Sequence, residues 1–189
     1  MKRKLNFEPK GDSQAGGRQK PHVPITWADG EPARLRKSIC PLVRDAAREF
    51  CSRWAPGGRL VHVEDGSGER TRIDATLAIL FGATIEKKER LPDLVVYIEE
   101  RNRLVLVDAA TKAGPITPKR RSKLKSAFSG CNTGLVFVTA FPTRSKVTQY
   151  LGEIAWETEV WVADAPSHLI HFNGERFLGP YPPETGHGS

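Results

Sequence analysis

Residues 92–123 read PDLVVYIEERNRLVLVDAATKAGPITPKRRSK, and the centre of the predicted fold lies in this segment. Two apolar runs rich in β-branched residues, 94–98 and 103–107, flank a short polar turn, and this pattern predicts an antiparallel hairpin. Asp93 precedes the first run and Asp108 follows the second. Because the two strands run in opposite directions, we expect both carboxylates at the same end of the hairpin.

An acidic pair at the end of a buried hairpin points to a cation. Carboxylates held together repel each other and are costly to remove from water. A divalent cation removes that cost, and carboxylate oxygens are ligands that suit Mg²⁺. Asp93 and Asp108 are therefore candidate metal ligands, with the backbone carbonyl of Ala109 as a further oxygen at the strand end.

A basic helix is predicted to follow the second strand. Gly114 and Pro115 interrupt the strand, and Thr117 is suited to cap a helix whose first residue is Pro118. The cations of this helix are Lys119, Arg120, Arg121, Lys123 and Lys125. A metal site beside such a helix has the layout that phosphodiester hydrolysis requires, because the metal activates water while the cations hold the nucleic acid.

These segments resemble the PD-(D/E)XK nuclease superfamily and, more narrowly, the BsuBI/PstI family of type II restriction endonucleases. The PD dipeptide at 92–93 is common by itself. The runs DAATKAGPITPKRR (108–121), IAWETEVW (154–161) and HFNGERFLGP (171–180) are long and unusual, and they make the resemblance specific. The similar region covers residues 40–181, which is most of the chain.

The resemblance implies an α/β fold with a PD-(D/E)XK restriction-endonuclease-like core, in which helices flank a central mixed sheet. It implies a Mg²⁺-dependent type II restriction endonuclease that hydrolyses phosphodiester bonds at a specific site in double-stranded DNA. We expect a homodimer, because a double-strand cut needs two sites, and a cognate DNA methyltransferase encoded nearby. The alternatives are a nuclease-fold module that binds DNA with weak or no cleavage, and an α/β domain that binds a protein or RNA.

The superfamily places a lysine two residues after the second acid, because a period of two puts both side chains on one face of the strand. Here that position is Ala110, and Asp108 stands where the resembling family usually has Glu. We expect Lys119, or less strongly Lys112, to supply the missing catalytic cation, since Gly114 interrupts the strand soon after residue 112. The broken motif keeps the inactive alternative open.

Other site residues follow from the same resemblance. An acidic residue of the first helix joins the metal site in some superfamily members, and Glu49 is the candidate here, although a solvent-facing carboxylate is the simpler interpretation. The expected DNA contacts are Thr111, Arg120, Arg121, Lys123 and Lys125. The opposing interpretation of these cations is a solvated helix face. An apolar sheet position is expected for Trp156.

Composition fits this picture. The chain has 189 residues and a net charge of +7, which favours one domain with an acidic partner such as nucleic acid. We predict a basic, flexible N-terminal arm (1–34) with Trp27 as its anchor, a nuclease domain (35–181) and a loose tail (182–189). Three cysteines without ligand spacing indicate free thiols. No apolar run is long enough for a membrane span or signal peptide, so we expect a cytoplasmic protein.

The remaining pattern predicts further elements of an α/β sandwich. Helices are expected after Pro41 to residue 54, at 73–81 and at 145–154, and strands at 59–64, 134–140, 159–163 and 169–172. The resembling family carries a helical winged helix-turn-helix domain ahead of the nuclease domain, for which residues 1–40 leave no room. The chain is therefore either the catalytic domain of a longer product or a compact relative whose specificity comes from a partner, from dimerisation, or is lost.

Overall fold

The computed structural model of the protein describes residues 26–28, 30, 33, 35, 38–64, 71–85, 89–111 and 113–173. Lys112, most of the predicted arm and the whole predicted tail lie outside these residues. The strands are β1 (Thr26–Trp27), β2 (Arg59–Val63), β3 (Leu94–Ile98), β4 (Arg103–Ala109), β5 (Gly134–Phe141), β6 (Thr158–Val162) and β7 (Leu169–Phe172). The helices are α1 (Pro41–Asp45), a π-helical turn (Ala46–Phe50), α2 (Cys51–Trp54), α3 (Thr71–Phe81), α4 (Pro118–Ala127) and α5 (Arg144–Tyr150).

The strands form one sheet in which spatial order follows chain order, from β1 to β7. The first two strands are parallel, and β2, β3 and β4 are successively antiparallel. Strands β4, β5 and β6 are parallel, and β7 closes the far edge antiparallel to β6. The α/β architecture with a central mixed sheet is therefore confirmed.

The central hairpin forms where the sequence predicts it. Leu94 pairs with Val107 at one end of the two strands and Ile98 pairs with Arg103 at the other. The turn ends at Asn102, which adopts a left-handed conformation with φ of 43°. Asparagine tolerates this conformation because its short polar side chain can bond locally to the backbone.

Two layers of helix cover the two faces of the sheet. Val105 and Val107 of β4 pack in the cluster that contains α1, the π-helical turn and α2, where Phe50 meets Trp161 edge to face. Leu104 and Leu106 point to the opposite face and pack with residues of α3 and α4. Since side chains alternate along a strand, Asp108 belongs to the face covered by α4.

Several predicted boundaries shift. The sheet begins inside the predicted arm, because Thr26–Trp27 pairs with β2 and Arg72 lies 3.9 Å above the Trp27 ring. Helix α5 ends at Tyr150 rather than at residue 154, since the next turn tightens and the Glu153 N–H donates to the Tyr150 carbonyl. No helix within the described ranges is long and apolar enough to cross a membrane.

Candidate active site

The hairpin brings Asp93 and Asp108 to one end of the sheet, as the sequence predicts. Asp93 lies one residue before the Leu94–Val107 pair, and Asp108 lies one residue after it. The Asp93 Oδ2 atom accepts a hydrogen bond of 2.7 Å from the Ala109 N–H. This bond links the start of β3 to the end of β4, so the position of each acid depends on the other strand.

Arg120 covers the carboxylate of Asp108. Its Nε donates to Oδ2 at 2.7 Å and its Nη2 donates to Oδ1 at 3.1 Å. The Asp108 side chain is 3% exposed and that of Arg120 is 14% exposed. Bidentate pairing of this kind satisfies both oxygens at once and fixes the orientation of the carboxylate.

The start of α4 explains why Arg120 reaches the site. The Thr117 hydroxyl accepts from the Arg120 N–H, and Pro118 occupies the first helical turn, so both predicted start signals are confirmed. Leu124 lies one turn further along the helix and is buried beneath it. Because residues four apart share one face of a helix, Arg120 points inward with Leu124.

Arg120 also holds the segment that precedes β3. Its Nη1 donates to the Arg90 carbonyl at 2.8 Å, and its Nη2 donates to the Leu91 carbonyl at 3.1 Å. The guanidinium therefore joins three parts of the chain: the end of β4, the first turn of α4 and the loop that leads to Asp93. This is the geometry of a positioning residue that fixes both acids.

Arg90 makes a looser contact with the same pair. Its Nη2 lies 3.0 Å from Oδ1 of Asp108 and 3.8 Å from Oδ1 of Asp93. Its side chain is 45% exposed, so water competes for the guanidinium. Two arginines and two aspartates thus share the site, and their formal charges cancel.

The site raises the pKa of Asp93 above the ordinary value for an aspartate. Burial is the largest cause, because removing the carboxylate from water disfavours its charged form. The neighbouring Asp108 acts in the same direction, whereas the Ala109 N–H and the guanidinium groups of Arg90 and Arg120 oppose it. Ionising Asp93 therefore costs more free energy in the folded protein than it does in water.

The donor atoms present suit a hard divalent cation. Asp93 and Asp108 supply carboxylate oxygens. The Ala109 carbonyl, one residue after Asp108, is a further oxygen, and it accepts from the Thr111 N–H at 2.7 Å. Among the described residues no group of three His, Cys, Asp or Glu side chains forms a metal site. Two carboxylates suffice for Mg²⁺, which usually keeps several waters and takes further ligands from substrate phosphates.

Glu49 does not join this pair. It lies in the π-helical turn, whose apolar residues pack on the other face of the sheet. Its carboxylate pairs with Arg53 at 2.7 Å and is 44% exposed. The simpler interpretation of Glu49, a solvent-facing carboxylate, is the one that matches the structure.

The two lysine candidates have different outcomes. Lys112 is outside the described residues. Lys119 is exposed in the first turn of α4 and has no ion pair or hydrogen bond with any residue that the structure describes. Consecutive helical residues differ by about 100° around the axis, so Lys119 and Arg120 cannot share a direction. The inward cation of this turn is thus an arginine that the sequence analysis placed on DNA.

The other expected DNA contacts divide into two groups. Arg121 pairs with Glu157, and its guanidinium lies 5.5 Å from the centre of the Phe137 ring. The remaining members of the set are exposed: Thr111, Lys123 and Lys125. With Arg120 and Arg121 both engaged inside the protein, the exposed cations of α4 are its lysines.

Three features escaped the sequence analysis. Nothing in the sequence indicated that Arg90 belongs to the site, apart from its place just before Leu91, Pro92 and Asp93. Buried Thr139 pairs with Asp108 across the sheet, and its hydroxyl accepts from the Ile116 N–H at 3.0 Å, which anchors the loop between β4 and α4. The expectation of an apolar sheet position for Trp156 is wrong: it precedes β6, is 70% exposed and packs beside Phe172.

Comparison with known proteins gives a consistent result. Residues 23–175 match the BsuBI/PstI restriction endonuclease domain family. The chain is 43% identical over 165 residues to the type II restriction enzyme BsuBI of Bacillus subtilis. The matched region covers 87% of this chain and 52% of that protein. It is 28% identical over 144 residues to the type II restriction enzyme AplI of Arthrospira platensis, covering 72% of this chain and 44% of that protein.

A solved structure shows the same fold. The SdaI restriction endonuclease superposes with a TM-score of 0.72 at 40% sequence identity, covering 83% of this chain and 50% of that chain. The chain thus spans about half the length of the relatives it matches.

Proposed function

This chain belongs to the BsuBI/PstI restriction endonuclease family, and from that premise we propose that it hydrolyses phosphodiester bonds at a specific site in double-stranded DNA. The observation that carries the proposal is the position of Asp93 and Asp108 at one end of the sheet, where Asp93 bonds to the residue after Asp108 and α4 carries exposed lysines. The relatives named as type II restriction enzymes support the reaction class.

The cofactor we propose is Mg²⁺. Oδ1 of Asp93, a carboxylate oxygen of Asp108 and the Ala109 carbonyl would hold it, because all three are hard oxygen donors. A divalent cation, when bound, supplies polarisation of a phosphodiester and activation of water. Asp93 can act as a ligand only as the carboxylate, and burial raises its pKa, so acid should weaken metal binding.

The remaining roles belong to the basic residues. Arg120 orients Asp108 through two hydrogen bonds and so fixes the direction of the acid. Lys119 stays our candidate for the lysine that Ala110 lacks, with Lys112 as the second choice. Exposed Thr111, Lys123 and Lys125 would contact the phosphate backbone, which positions a duplex without reading its sequence.

The partners we propose follow from the reaction. A double-strand cut at a symmetric site needs two copies of the acidic pair, so we propose a homodimer. A cognate DNA methyltransferase encoded nearby would protect the host sequence from cleavage. The homodimer and the methyltransferase are proposed only because the chain is proposed to cut DNA at a specific site. If the chain does not cut DNA, there is no reason to expect either of them.

A second candidate is a nuclease fold that binds DNA without cutting it. Two observations favour this alternative: position 110 carries no lysine, and guanidinium groups bond both oxygens of Asp108. With both arginines in place, their positive charges oppose the binding of a cation at Asp108. The difference between the two candidates is metal-dependent hydrolysis.

Plasmid cleavage tests the proposal. We expect discrete fragments with Mg²⁺ and none with EDTA, with Asp93→Ala or with Asp108→Ala. Asp45→Ala is the matched control, because Asp45 lies on α1, over the opposite face of the sheet, and its loss should leave the fragments unchanged. A folded protein that retards duplex DNA in a gel but leaves the plasmid intact with Mg²⁺ would favour the binding module.

A further inference from the structure

The two arginines on Asp108 are held very differently. Arg120 makes four hydrogen bonds, two to the carboxylate and two to backbone carbonyls, and is 14% exposed. Among the described residues, the Arg90 side chain makes one hydrogen bond, to Oδ1 of Asp108, and it is 45% exposed. Arg120 is thus built into the fold. Arg90 reaches the site from solvent, and within the described part of the chain its side chain bonds to no backbone group.

The position of the Arg90 guanidinium is where a bound cation would act. Its Nη2 lies within 4 Å of one oxygen on each aspartate, 3.0 Å from Oδ1 of Asp108 and 3.8 Å from Oδ1 of Asp93. A divalent cation held by the two acids would lie against the same two carboxylates. Two positive charges at that separation repel strongly in a partly buried site, so the two occupants exclude each other.

The charge balance gives the same result. With both arginines in place the cluster has no net charge and attracts a divalent cation weakly. With Arg90 withdrawn the cluster carries one net negative charge, while Arg120 still orients Asp108. We propose that Arg90 is a displaceable counter-cation of the Asp93–Asp108 pair, which stabilises the metal-free site and must swing out before a divalent metal binds. This inference rests on the proposed function of the pair.

Metal affinity, measured without any cleavage assay, tests the inference. Titrating the full chain with Mn²⁺ and following free Mn²⁺ by electron paramagnetic resonance gives a dissociation constant for each variant. We expect Arg90→Gln to bind Mn²⁺ at least about fivefold more tightly than the wild type, the low end of typical coupling between two ligands. Arg90→Lys keeps the competing charge and should stay closer to the wild type.

The matched control is Arg59→Gln. Arg59 is equally exposed and pairs with the carboxylate of Glu99 at 2.8 Å, at the other end of the hairpin from the acidic pair. This substitution removes the same charge from the chain and should leave Mn²⁺ affinity unchanged. Adding Asp93→Ala to Arg90→Gln should abolish the tight binding, which assigns the gain to the acidic pair.

The outcomes separate this inference from the proposed function. Equal affinities for the wild type and Arg90→Gln, with both lost on Asp93→Ala, would refute the role of Arg90 and leave the metal site standing. Binding that Asp93→Ala does not affect would overturn both. A rise in Arg59→Gln as large as that in Arg90→Gln would show a general effect of net charge and would also overturn the role of Arg90.

Discussion

Arg120 offers the sharpest test of how the site is held together. Replacing it with Met keeps the length and helix propensity of the side chain but removes the donors that Arg120 gives to Asp108 and to the carbonyls of Arg90 and Leu91. Asp108 is 3% exposed, so its charge would stay buried, with Arg90 as its remaining partner among the described residues. Breaking one partner out of a buried ion pair costs about 3–5 kcal/mol.

The remaining bond to Arg90 places the expected loss near the low end, at about 3 kcal/mol. For a chain of this size that corresponds to a fall in the melting temperature of about 6–12 °C. Urea unfolding in EDTA measures the loss of unfolding free energy directly, provided that the slope of this free energy against urea concentration is the same in both proteins. In the double variant with Asp108→Asn we expect a smaller loss than the sum of the single losses, because a neutral amide needs no counter-charge.

Arg121→Met is the control for this experiment. Arg121 is the next residue of α4, but it pairs with Glu157, which is 58% exposed, and a pair of that kind contributes about 1 kcal/mol or less. If Arg120→Met costs no more than Arg121→Met, the argument that Arg120 organises the acidic pair is wrong.

Three further predictions concern single residues. Because burial raises the pKa of Asp93, the folded state favours its proton, so stability falls as pH rises from the unfolded pKa through the folded one. Asp93→Asn in EDTA should therefore be more stabilising at pH 7 than at pH 4 in urea unfolding; a gain that does not change with pH would contradict this. Gly58→Ala should cost about 1–3 kcal/mol by thermal melting, since its Cβ would lie 2.6 Å from Cγ1 of Val96; an unchanged melting temperature would contradict it. Burial raises the pKa of Cys51 to about 12, so mass spectrometry after brief alkylation at pH 8 should find Cys40 modified first; equal labelling would contradict that order.

The hairpin and the start of α4 were predictable because local chemistry dictates them. Residues 94–98 are largely apolar and three of the five are β-branched, a composition that fits a pleated strand buried on both sides. At the start of the helix the Thr117 hydroxyl accepts from an open N–H group, and Pro118 has no N–H that needs a partner. Both signals depend on neighbours in the chain and need no knowledge of the tertiary fold.

The direction of the site cations was harder to predict. To predict which cation of the first turn faces the acids, one must know how α4 is rotated about its own axis. The buried residue Leu124 sets that rotation. That residue was visible in the sequence, and counting back four positions from it selects Arg120. Arg90 gave no comparable signal, because it lies in an irregular segment where no period relates its side chain to the sheet.

Glu49 shows the limit of transferring a residue by resemblance alone. The helix that carries it has the predicted apolar period, so its existence was secure. Which face of the sheet it covers depends on long-range packing against residues such as Trp161. The order of apolar and polar residues along the chain contains no information on which face a helix covers. The same order gave the wrong position for Trp156, because an apolar residue can lie in a strand or in an exposed loop.

Metal binding at the acidic pair would be seen directly in an anomalous difference map from a crystal soaked in Mn²⁺. We expect a peak about 2.1 Å from Oδ1 of Asp93 and from a carboxylate oxygen of Asp108, with the Arg90 guanidinium moved away and Arg120 still bonded to Asp108. A map without a peak at the pair, with Arg90 still bonded to Asp108 at an Mn²⁺ concentration that supports plasmid cleavage, would contradict it.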